Sequence, residues 1–158
     1  MKNAPTYQEH FANWLSSYNF KTFGTFTTSR PLSLPASRRL AVSFARHIRA
    51  GSDSCMFWAA EPFDTREGFH FHALIRSELS NLQLWDYWTK ERNLGRSQFV
   101  DIQRKKDSEN SIEWYVSKYI TKNLADFDIY ATNYYSNNTA ALKKTGIPES
   151  PEYIKPYK

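Results

Sequence analysis

The chain has 158 residues, a formal net charge of +5 and aromatic side chains at 16 % of positions, a length that suits one domain with a core needing no disulfide or metal staple. The lone Cys55, set in the apolar run Cys55-Met56-Phe57-Trp58-Ala59-Ala60, excludes an internal disulfide framework and reads as a buried small hydrophobe. No stretch approaches the roughly 20 apolar residues of a membrane span, and Met1 to Tyr18 is too polar for a secretory signal, so a soluble protein of a reducing, intracellular compartment is expected.

The elements follow in order. Tyr7, Phe11, Trp14 and Leu15 recur at helical spacing within Thr6 to Ser17. Phe20 to Thr28 alternates as a strand. Pro31 and Pro35 break the chain, and Ser37 is the expected N-cap of a basic helix running to Ala50. Cys55 to Phe63 and Phe69 to Arg76 form a hairpin around a turn ending in Gly68. A helix from about Ser80 to Arg92, a strand from Gln98 to Gln103, a basic loop Arg104-Lys105-Lys106 and a helix from Ser111 to Asn123 complete the pattern. This order predicts an α+β fold of the split βαβ (ferredoxin-like, RRM-like) kind, a mostly antiparallel sheet with flanking helices. Residues 1–124 read as the domain. Residues 125–158 read as an irregular extension, either a docked tail or a linker.

His70 and His72 are two apart on the third strand and therefore point to one face, while Phe69, Phe71 and Ala73 point to the other. Two neutral imidazoles on one face suit a divalent cation. A third, carboxylate ligand is wanted. Glu61, opposite the histidines across the hairpin, can supply it, as can Asp64 or Glu67 in the turn. Such a mixed site holds Mn²⁺ or Mg²⁺ with positions left for phosphate oxygens. By itself, a His-x-His pair on a strand is more often an ordinary solvated face.

On the last helix Tyr115 and Tyr119 stand at i and i+4, with Lys118 beside them and Lys122 one turn on. A tyrosine hydroxyl attacks phosphorus when a metal polarises the phosphodiester and cations offset the developing charge. Ile112, Tyr115, Val116, Tyr119 and Ile120 also make an amphipathic stripe, and tyrosines in such stripes commonly pack in a core.

Three segments taken together resemble the HUH endonuclease superfamily. Phe23-Gly24-Thr25-Phe26-Thr27-Thr28 is similar to its first, structural strand motif; Gly68-Phe69-His70-Phe71-His72-Ala73-Leu74-Ile75 resembles its metal-binding motif; Tyr115-Val116-Ser117-Lys118-Tyr119 resembles its tyrosine motif. The match covers about residues 20–124. The tyrosine followed three residues later by lysine is similar to rolling-circle replication initiators, and the added Tyr119 to their two-tyrosine subgroup. The resemblance implies His70, His72 and Glu61 as metal ligands. It implies Tyr115 as nucleophile, Tyr119 as the second nucleophile that closes the circle, and Lys118 as a contact to the scissile phosphate or a support of the metal-bound state. The implied product is a 5′-phosphotyrosine and a free 3′-hydroxyl.

Many members of that superfamily continue into a helicase, but no G-x-x-x-x-G-K loop occurs here. A host helicase and polymerase are therefore the expected partners, unless the chain is a fragment. The expected substrate is single-stranded or hairpin origin DNA, in a host's cytoplasm or, for a virus of eukaryotes, its nucleus. Arg104, Lys105, Lys106, Lys118 and Lys122 are the candidate phosphate contacts, with Arg38 and Arg39 as a second patch. A transposase using the same chemistry, a non-catalytic nucleic-acid-binding module and a small-molecule metal hydrolase are the alternatives.

Overall fold

Five strands make one antiparallel sheet in the computed structural model, which describes residues 6–49, 53–102, 111–122 and 126–131. The elements are α1 (Tyr7–Ser16), β1 (Thr22–Thr27), α2 (Leu34–Ile48), β2 (Cys55–Pro62), β3 (Phe69–Arg76), α3 (Asn81–Trp85) with a π-helical turn (Asp86–Glu91), β4 (Ser97–Asp101), α4 (Ile112–Lys122) and β5 (Asp126–Ala131). The strand order is β4-β1-β3-β2-β5. β3 therefore lies between β1 and β2, and β1 between β3 and β4. These are two interleaved βαβ units, each split by a strand of the other, as the element order predicts.

Capping side chains fix the helix starts. Thr6 and Glu9 form a capping box on α1, and Ser80 and Gln83 form one on α3. The Ser111 hydroxyl accepts from the Trp114 amide at 3.1 Å and starts α4. On α2 the cap is Ser33, which accepts from the Ala36 amide at 3.3 Å; Ser37, the expected cap, is buried one turn inside the helix. Pro35 does not break the chain there. It sits in the first turn, where an amide has no intrahelical partner to lose. The helix expected over Ser80 to Arg92 widens after Trp85, where the Arg92 amide donates to the Tyr87 carbonyl five residues back. The wider turn buries both Tyr87 and Trp88, and the Trp88 indole donates to the Thr27 carbonyl at 3.1 Å.

Both sheet faces are covered. α2, α3 and the π-helical turn pack on the face that carries Phe26, Trp58, Phe71 and Ile75. α1 and α4 pack on the other face through Leu15 and Val116, against Phe57, Leu74 and Ile129. This second apolar face departs from the expected division into one core face and one histidine face. It explains why Cys55 to Ala60 is buried without alternation. Cys55 itself is buried, as expected, and burial pushes its thiol up to about 12. β5 is the other departure: part of the segment read as irregular pairs with β2, Phe57 opposite Ile129 and Trp58 opposite Asp128. Residues 132–158 lie outside the described residues.

Candidate functional site

The β2–β3 register places Glu61 directly across from His70 and Ala59 across from His72. Ala59 has only a methyl group, so nothing on β2 competes for the space above His72, and the Glu61 carboxylate reaches both imidazoles, one across and one diagonally. Its Oε2 lies 2.5 Å from His70 Nε2 and 3.2 Å from His72 Nε2. One ligand atom from each of the three residues lies within 4.8 Å of the other two. Cis ligands about 2.1 Å from a common ion stand roughly 3 Å apart, so small side-chain adjustments let this donor set of two nitrogens and one oxygen fit a divalent cation. Of the three carboxylates that the sequence leaves open, Glu61 is the one in the cluster; Asp64 and Glu67 are exposed in the turn.

The cluster sits where the cover of α1 and α4 gives out. The side chain of His72 is 9 % exposed, whereas those of His70 and Glu61 are 25 % and 24 % exposed. One candidate ligand is thus anchored in the packed layer and two open to solvent. Burial, reinforced by the neighbouring His70, lowers the pKa of His72, and Glu61 offsets this in part. The neutral imidazole, the ligating form, is therefore favoured at His72.

α4 lies on the same face as the cluster. Its Tyr115 is 45 % exposed, in contrast to the buried Val116 and Ser117 beside it. Phe23 of β1 links helix and cluster. Its ring lies parallel to that of His72, with centroids 6.0 Å apart, and meets the Tyr115 ring edge-on at 6.3 Å. Phe23 and Tyr115 also line a groove of about 450 Å³ with Val100, Asp101, Ile102, Ser111 and Ile112. α1 packs beside α4, where Gln8 donates to the Trp114 carbonyl at 3.3 Å.

Lys118, Tyr119 and Lys122 follow Tyr115 on α4, with side chains outside the described set. Arg104, Lys105 and Lys106 lie outside the described residues altogether. Arg38 and Arg39 are on α2, against the opposite face from the histidines, and the Arg38 guanidinium pairs with the buried Asp128 of β5 at 3.4 Å. The structure does not bring that patch to the cluster.

Two residues that sequence reasoning passed over adjoin the cluster. Phe63 packs edge-on against His70 with centroids 5.1 Å apart, and the Arg66 guanidinium lies 3.9 Å over the Phe63 ring. Period-two spacing could have found Phe63, since it continues the row Phe57, Ala59, Glu61 that faces the histidines. No family model, curated protein or solved structure matches this chain.

Proposed function

We propose that the chain is a divalent-metal-dependent endonuclease that nicks and rejoins single-stranded DNA through a covalent tyrosine intermediate, in the manner of a rolling-circle replication initiator. The observation that carries this reading is that Glu61, His70 and His72 converge on the sheet face that α4 also packs against, with Phe23 in contact with both His72 and Tyr115. When bound, Mn²⁺ or Mg²⁺ would supply Lewis-acid polarisation of the scissile phosphodiester.

The chain's own residues do the rest. His72, buried and biased toward its neutral form, fixes one corner of the ligand set, while His70 and Glu61 face the opening through which a strand enters. Phe23, parallel to His72 and edge-on to Tyr115, would hold the Tyr115 ring beside the cluster. The Tyr115 hydroxyl attacks phosphorus in line. The new bond is phenolic oxygen to phosphorus; the bond that breaks is phosphorus to the 3′ oxygen. The phenolic proton is lost and the departing 3′ oxygen gains one, leaving a 5′-phosphotyrosine and a 3′-hydroxyl. Tyr119, one turn on along α4, is the proposed second nucleophile for the joining step, and Lys118 a contact to the same phosphate. Origin DNA is the proposed substrate, with a helicase and polymerase supplied by the host.

An adduct assay tests this reading. Wild type, Tyr115→Phe, Tyr119→Phe and the double variant are mixed with pooled single-stranded circular DNA and Mn²⁺, with a chelator control. A metal-dependent, denaturant-stable protein–DNA adduct that the double variant lacks is expected. DNA binding without any nick or adduct would leave a non-catalytic binding module instead.

A further inference from the structure

The cluster's open side carries a cation that the reading above does not use. Arg66 belongs to the β2–β3 turn, is exposed, and has no ion pair among the described residues, in contrast to Arg38 with Asp128 and Arg76 with Asp53. Its guanidinium is held by the face of Phe63, whose ring rests on His70. A stacked guanidinium keeps its in-plane donors free for another partner. The turn beneath it is fixed in place: Gly68 has φ +98°, and a Cβ there would come within 3.1 Å of the Pro31 Cα. Only glycine lets the turn press this closely on the β1–α2 connection. Arg66 is thus a positive fork on a seated turn, one aromatic ring away from a metal-ligating histidine.

We propose that Arg66 clamps a phosphate of the bound strand next to the one engaged at the cluster. The inference rests on the single-strand nicking reading. A planar guanidinium matches phosphate oxygens two at a time, and the Phe63 ring on which it lies packs against the partly exposed His70. Arg66 would hold the strand's register, so that one particular linkage reaches Tyr115.

The test measures binding of a fluorescent single-stranded oligonucleotide to the full chain across a salt series with Mn²⁺. A Tyr115→Phe, Tyr119→Phe background prevents cleavage. Arg66→Ala should weaken binding about tenfold and flatten the dependence of log K on log salt by about 0.7, the share of one phosphate contact. Arg66→Lys should keep the salt slope but only part of the affinity, since an ammonium lacks the fork. Lys90→Ala, which removes the same charge from the π-helical turn on the opposite layer, should behave as the parent does. Mn²⁺ affinity, read by electron paramagnetic resonance, should be unchanged by Arg66→Ala. An unchanged slope, an equal effect of Lys90→Ala, a matching loss of Mn²⁺ affinity, or no binding of the oligonucleotide at all would each overturn the clamp. The adduct assay with Tyr115 intact separates the two ideas. A flattened slope with no wild-type adduct keeps the clamp and removes nicking; an adduct with an unchanged slope does the reverse.

Discussion

The ring planes of Phe23 and His72 are within 5° of parallel, and the same phenylalanine meets Tyr115 at 87°. One side chain thus buttresses a candidate metal ligand and the proposed nucleophile together. Phe23→Ala should cost about 1–3 kcal/mol in urea denaturation, less than the roughly 3–5 kcal/mol of a fully buried phenylalanine because the ring is half-buried. It should slow adduct formation more than it weakens Mn²⁺ binding, since the hairpin keeps its ligands while Tyr115 loses its support. Equal losses in both would mean that Phe23 serves the metal ligands alone.

Removing any one ligand should be more damaging than disturbing its surroundings. His70→Ala, His72→Ala and Glu61→Gln are each expected to lower Mn²⁺ affinity by at least about 100-fold, beyond the ~10–100-fold typical of supporting residues. Tyr115→Phe should leave it unchanged. Resonance titration of free Mn²⁺ reads both. Wild-type affinity in Glu61→Gln would move the third ligand to another carboxylate.

The Cys55 thiol, pushed from 9.0 to about 12 chiefly by burial, should resist alkylation at pH 8 in the folded chain and react on unfolding. The pH dependence has a definite sign. The unfolded thiol ionises near 9 while the folded one stays protonated, so stability is full below pH 9 and falls as pH rises from there toward 12. Urea midpoints measured across that window should decline in wild type and decline less in Cys55→Ala.

Gly68→Ala should destabilise the fold by about 1–3 kcal/mol, because φ +98° strains any residue with a side chain and the new methyl meets Pro31. Equilibrium denaturation measures the loss. A neutral effect would show that the turn can shift off the β1–α2 connection.

Much of this was legible in the sequence where local pattern dictates geometry. Period two alone pairs His70 with His72, and a hairpin closing before Gly68 sets Glu61 across from them. The sequence could not choose among Glu61, Asp64 and Glu67, because that choice depends on register. β5 escaped notice because Asp126 and Asp128 interrupt its apolar residues, and aspartate disfavours strands. The pairing that makes Asp128 tolerable there comes from Arg38, ninety positions away. The double cover of the sheet was hidden for a related reason. Alternation tells which residues share a face, but not how far along that face a helix extends. The contact of Phe23 with Tyr115, on which the candidate site turns, joins β1 to α4 and has no local signature.

The three candidate metal ligands all belong to one hairpin, whereas Tyr115 is linked to them through its packing against Phe23 of another strand. A chain that has lost its tertiary structure still needs only a short loop closure to bring Glu61, His70 and His72 together. The denatured ensemble should therefore retain some appetite for the ion, and any such affinity subtracts from the stabilisation that mass action would otherwise confer. Saturating Mn²⁺ should raise the melting temperature by less than the native dissociation constant implies. A heat-damaged preparation could still titrate as fully loaded while Tyr115 has lost its packing on Phe23, so metal content would be a poor assay of the native fold.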